Sequence, residues 1–273
     1  MESKKYILTE ETIKLNNHTL YRIQAIKDFG EVHDGDLGGW IESEKNLSQT
    51  GKCWVWDDAM VYDSAKVYGN AIIYESARVW DHAKISGNSR VHGCAEIYGK
   101  AMVRGNVDIY NGAKVYDDAK ILDNAKVYGN AEVFGESEIY DYAEVFGYAK
   151  VSDSWISDSA CIYDHAVISD GAVIFENAVV RDNAIVSGDV RVNYFADICG
   201  DAVIKSDEDY VVYKNTWSSG RYFTYTRSNN KWRVGCFYGT SEELIAKAYK
   251  DSEKSGKCYE AIVKAQLLIS SIK

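Results

Sequence analysis

Between residues 210 and 240, in YVVYKNTWSSGRYFTYTRSNNKWRVGCFYGT, aromatic and basic side chains are interleaved: Trp217, Arg221, Tyr222, Tyr225, Arg227, Trp232 and Arg233. A guanidinium fork matches the oxygens of a phosphate, and an aromatic plane offers a stacking surface for a base. These residues are the candidate site for a small anionic ligand. The same set also fits a small sheet whose aromatics pack inward and whose arginine stems cover them.

Other chemistry-bearing residues are scattered. Three histidines, His82, His92 and His165, are candidates for proton transfer. Asp123, Asp141, Asp158 and Glu176 recur at spacings of 17 or 18 residues, a column that could hold divalent cations, although aspartate also serves turns without any ion. The six cysteines lie far apart, with no C-x-x-C and no zinc-type cluster, so they read as reduced thiols. The glycines of DGDLGGW, 34–40, lack the lysine that a phosphate loop carries next to its last glycine. The sequence therefore assigns no metal, no cofactor and no catalytic residue.

The elements that must position these groups follow one rule. From Val55 to Val151 an aliphatic residue stands at every sixth position; after one missing residue the beat resumes at Ile156 and runs to Ile204, 26 hexads in all. Neither a helix face, at 3.6 residues, nor a strand face, at 2, recurs at six. A small residue precedes nearly every aliphatic by two places, and Tyr, Phe or Trp often follows it. Units such as VYDSAK at 61–66 and VYGNAE at 127–132 resemble the hexapeptide repeat of the left-handed parallel β-helix. That resemblance implies three hexads per triangular coil, inward aliphatics, and close to nine coils over about 40 Å. Residues 18 apart then stack: Trp56, Tyr74, His92, Tyr110, Tyr128 and Phe146 along one edge, Tyr62, Trp80, Tyr98, Tyr116 and Phe134 along another. Charges alternate in the same register, as in Arg78, Glu96, Lys114, Glu132 and Lys150. After the missing residue that position turns apolar, at Cys161, Val167, Val173, Val179, Ile185 and Val203. These valines and Ile185, with Tyr259, Ile262 and Val263 near the C-terminus, are the candidate interface residues of a homo-oligomer.

Three regions result: an N-terminal cap, 1–50; the solenoid, 51–205; and a C-terminal β-meander with α-helices, 206–273. In the cap, strands flank Asn16-Asn17, and Trp40 is placed to plug the first coil. In the last region, three or four strands precede a helix capped by Thr240 and Glu243 and running to about Lys254, then a break at Ser255-Gly256 and a second helix. The motifs Asp28-Phe29, Gly38-Gly39-Trp40, Asn46-Leu47-Ser48-Gln49 and Cys53-Trp54 resemble the N-terminal segment of YdcK-type hexapeptide proteins and their relatives in phages and prophages. That resemblance implies fold and lineage, and no particular activity.

The net charge of −10 divides into −14 over residues 1–204 and +4 from 205 onward, so direct nucleic-acid binding is not expected of the solenoid. No apolar run reaches membrane-span length, which points away from a membrane partner and toward the cytoplasm of a bacterial host cell. The reading that joins these points is a non-enzymatic binding or scaffold protein of phage origin that sequesters a nucleotide-type ligand or a host protein, as in counter-defence. One alternative is an acidic rod that mimics DNA. The other is acyl transfer, since enzymes of the resembled fold use a histidine between neighbouring solenoids; here each histidine has a place in the repeat, and no loop leaves the helix.

Overall fold

The computed structural model describes residues 4–272. Each hexad contributes a short strand that contains its aliphatic residue, and the aliphatics from Val55 to Ile204 are fully buried together with alanines such as Ala125 and Ala131. Two residues beyond the aliphatic, the chain enters the left-handed region, which turns it through one corner of a triangle. Glycine and aspartate tolerate that conformation, which is why they recur there. Three corners make a coil, and parallel pairing repeats at 18 residues, as in Lys126 against Asp108 and Glu144. Three parallel sheets follow, the architecture expected of the hexapeptide-repeat β-helix.

The missing residue shortens one coil without shifting its faces. Glu138 pairs with Trp155 and Lys150 with Val167, and Ser154 takes the small inward place, its hydroxyl donating to the Ser152 carbonyl at 2.8 Å. Ring stacking follows the predicted edges. Tyr98, Tyr116 and Phe134 lie parallel at 4.9 and 5.0 Å, and Tyr110, Tyr128 and Phe146 at 4.9 and 4.7 Å. Alternating charges pair between coils, Lys126 to Glu144 at 2.8 Å and Lys120 to Glu138 at 2.7 Å. An amide ladder, Asn70, Asn88, Asn106 and Asn124, bonds successive coils at 2.9 to 3.0 Å.

At the N-terminus, β1 (Tyr6–Leu15) and β2 (His18–Ala25) form an antiparallel hairpin. Strand β3 (Leu37–Ile41) pairs antiparallel with β2 and parallel with Met60–Val61, converting hairpin to solenoid. Gly38 and Gly39 allow this crossing: a Cβ on Gly39 would meet the Ala59 carbonyl oxygen at 2.6 Å. Neither Trp40, the expected plug, nor Trp54 enters the prism: each stands one place before an inward aliphatic, in the outward register of Met60 and Ile72. Trp54 is fully buried, with Tyr6 at 6.0 Å and Phe29 at 5.3 Å, whereas Trp40 lies in β3 beneath the Arg22 guanidinium, 5.0 Å away. The register is the reason, because side chains alternate along a strand, and Ile41 and Val55 take the inward places.

The C-terminal sheet has four antiparallel strands, Tyr210–Lys214, Tyr222–Thr226, Lys231–Val234 and Phe237–Gly239. Helix α1 (Ser241–Asp251) starts at the expected Thr240–Glu243 cap. The break falls at Ser252 instead of Ser255-Gly256, because the Ser252 hydroxyl accepts the Ser255 amide and so starts α2 (Glu253–Ser271). Phe223, Tyr225, Trp232, Leu244, Tyr259 and Val263 form a second core beside the solenoid's own. No helix among the described residues is long and apolar enough to cross a membrane.

Candidate functional site

The meander rests on the last coils of the solenoid, and a cleft of about 440 Å³ lies at the junction. The strand Tyr222–Thr226 supplies one wall. Thr224 accepts the Asp197 amide at 2.9 Å, and Ser228 just beyond accepts the Val203 amide at 2.8 Å, so two side chains of the meander finish the backbone bonding of the last coil. Asp197 is the hub: one oxygen accepts from Arg181 Nε at 2.9 Å, and the other from Arg233 Nε at 2.9 Å. Burial works against the Arg181 charge, but the hydrogen bonds to Asp197 outweigh it and raise the pKa above the ordinary arginine range. Replacing Asp197 by asparagine leaves two facing guanidinium groups without their counter-charge. The expected cost is about 2 kcal/mol, below that of a fully buried pair because the groups are partly solvated. Thermal unfolding read through Trp217 and Trp232 checks this.

Aromatic surface and positive charge meet at the mouth of the cleft. The Phe195 ring stacks on Tyr222 at 4.6 Å, with 13° between planes, and Lys214 Nζ lies 5.3 Å from the Tyr222 ring centre. Arg221 is exposed on the rim, and its guanidinium has no ion-pair partner among the described residues. Burial and the nearby Asp197 push the Cys199 thiol up to about 12, so it is protonated at neutral pH and is no nucleophile.

Of the residues singled out in the sequence, Arg221, Tyr222 and Arg233 are brought together here. Trp217 and Tyr225 turn into the C-terminal core with Trp232, and Arg227 Nε is buried away from the cleft. Phe195, Asp197 and Asn177 also line the cleft, and the hexad pattern does not single them out. One signal for them exists in the sequence. Every other left-handed corner of the solenoid carries Gly, Asp, Asn or Glu, but at Tyr194-Phe195 two aromatics occupy a corner, with Tyr194 at φ 57°. A bulky residue in that region costs about 1–3 kcal/mol and draws attention to its surroundings.

The candidate interface residues are dispersed. Val167, Ile185 and Val203 share one face, Val173 lies on the second and Val179 on the third, inside the junction cleft. Tyr259 and Val263 are buried in the C-terminal core, with Ile262 packed against it. The histidines keep their repeat positions: His92 is stacked between Tyr74 at 4.4 Å and Tyr110 at 5.1 Å, and His165 on Tyr148 at 5.1 Å. In the acidic column, Asp158 accepts the Glu176 amide at 2.9 Å and Glu176 the Tyr194 amide at 2.8 Å, so these carboxylates cap the next coil.

A second polar cluster lies at the cap. His18, at the start of β2, donates from Nδ1 to Glu42 Oε1 at 3.0 Å, and its ring packs 5.2 Å from Tyr62, the first ring of an aromatic ladder. The bond to Glu42 holds the His18 pKa above its ordinary value, against the opposing effect of burial.

No family model matches this chain. It is 40% identical over 62 residues to a protein of Escherichia coli (strain K12) called "Uncharacterized acetyltransferase YdcK", a stretch covering 20% of this chain and 19% of that relative. The match thus spans about a fifth of either protein. Solenoid and shared stretch together describe a hexapeptide-repeat-like protein with distant, partial similarity to a protein that carries an acetyltransferase name.

Proposed function

We propose that this protein is a binding protein for an anionic ligand with a planar ring, of the nucleotide type, held in the junction cleft. The observation that carries the reading is the stacked Phe195–Tyr222 pair beside Arg221 and Arg233. The ring pair offers an aromatic face to a base. Arg221 and the free N–H groups of Arg233 offer donors to phosphate, while Asp197 holds Arg233 in place. Sequestration of a nucleotide signal in a phage setting, the finer role expected from the sequence, would use this same surface.

Calorimetry with ADP, coenzyme A and inorganic phosphate tests the proposal. Saturable binding is expected for at least one nucleotide and much weaker binding for phosphate, which cannot stack. Arg221→Ala should weaken nucleotide binding about 10-fold, the value of one charge-assisted hydrogen bond. Binding unchanged by Arg221→Ala and Tyr222→Ala, or none at millimolar nucleotide, would sink the reading.

The name of the partial relative favours a second reading, acyl transfer from an acyl-thioester. Acetyl-CoA is itself an adenine nucleotide, so both readings predict its binding. They separate on turnover: transfer requires release of the coenzyme A thiol when amine or hydroxyl acceptors are added, and a binding protein releases none.

A further inference from the structure

His18, Glu42 and Asp63 come from three different elements: the hairpin turn, the chain just after β3, and a corner of the first coil. Each offers one ligand atom, and the three atoms lie within 4.8 Å of one another. Their arrangement is more specific than a loose cluster. Glu42 fixes both neighbours, since Oε1 accepts from His18 Nδ1 at 3.0 Å and Oε2 accepts the Asp63 backbone amide at 2.7 Å. The other ring nitrogen, Nε2, then faces Asp63 Oδ1 at 3.7 Å. That separation is too long for a hydrogen bond. It suits two ligands of one small cation, because an ion about 2.1 Å from both would see them at about 120°, within the range of four-coordinate zinc.

We propose that His18 Nε2 and Asp63 Oδ1 bind a divalent cation of the zinc type, with Glu42 as the carboxylate that orients the imidazole from behind. A carboxylate on the far nitrogen of a metal-bound histidine fixes the tautomer and strengthens the ligand, which is the role Glu42 is placed to take. The three side chains are only 27 to 32% exposed, so the cluster is held by its surroundings while one side stays open to water or a further ligand. The cation would fasten the hairpin cap to the first coil, and binding that requires the folded cap stabilises it by mass action.

The test uses the full chain, stripped with a chelator, at about pH 8, where the cation competes least with the His18 proton. Zn²⁺ titrated in a calorimeter should bind at one site and raise the unfolding temperature. Co²⁺ should give visible bands without thiolate charge-transfer absorption, which separates this site from the cysteines. His18→Ala and Asp63→Asn should each remove the binding, and Glu42→Gln should weaken it about 10–100-fold. Asparagine keeps the turn preference of position 63, so Asp63→Asn guards against mere loss of the cap, provided its metal-free unfolding temperature matches the parent's. Failure to saturate, persistence of binding in His18→Ala and Asp63→Asn, or a thiolate band with Co²⁺ would each overturn the proposal.

Discussion

Val127→Asp should split the solenoid. Val127 is fully buried at the middle of the prism, between Ile109 and Val145 of the adjoining coils. A carboxylate there has no donor to meet and no water, so the expected loss is more than 4 kcal/mol at neutral pH. Val127→Ala, which leaves only a small cavity, should cost about 2 kcal/mol. The form of the response matters as much as its size. Each coil contacts only its neighbours, so stability is close to a sum of local terms and one failed coil need not unfold the rest. Hydrogen exchange read by mass spectrometry should show protection lost around residues 109–145 and kept toward both ends. Loss of protection along the entire chain at once would show that the solenoid is a single cooperative unit.

The solenoid was legible because its rule is short and repeated: an aliphatic residue, a small one, and a corner residue that tolerates the left-handed conformation. The missing residue after Val151 could be located to within four positions for the same reason. What lay outside the repeat was less legible. Trp40 lies in β3, before the beat begins, and only its pairing with Met60 shows that it takes an outward place while Ile41 turns in. The basic-aromatic meander could be recognised as a composition, but its alternation did not say which side faced the second core. Trp232 and Tyr225 went inward, while Tyr222 and Arg221 reached the cleft. The other half of that cleft, Phe195 and Asp197, stands in ordinary repeat positions, and His18, Glu42 and Asp63 are 24 and 21 residues apart in sequence. Sites assembled where two architectures meet leave little periodic trace in either one. The Tyr194-Phe195 corner is the exception, since it breaks the repeat's own preference at the place where the cleft forms.

Gly39→Ala should detach the cap. The added methyl group would lie 2.6 Å from the Ala59 carbonyl oxygen, 2.7 Å from Val55 Cγ1 and 2.9 Å from the Trp56 carbonyl oxygen. Two of these atoms are backbone: the Trp56 carbonyl accepts the Ala59 amide at 3.1 Å within the first coil, and the Ala59 carbonyl accepts the Trp40 amide of β3 at 2.9 Å. Neither can rotate away as a side chain would, so β3 itself must lift, and the pairing of Trp40 with Met60 and Ile41 with Val61 is lost with it. Overpacking of this kind costs about 3 kcal/mol, and here the consequence spreads, because lifting β3 uncovers Trp54 and the open end of the prism. An uncapped parallel sheet presents unpaired backbone to other chains. The expected result is a folded C-terminal half with increased exchange at Trp40, Ile41 and the first coil, and concentration-dependent association in sedimentation. Gly35, which has no atom within 4 Å of an added Cβ, supplies the control. Its left-handed φ of 92° makes Gly35→Ala strained, but that strain is confined to an exposed turn and should leave the cap in place. Equal association by the two variants would show that backbone strain, and not the close crossing over the first coil, governs the cap.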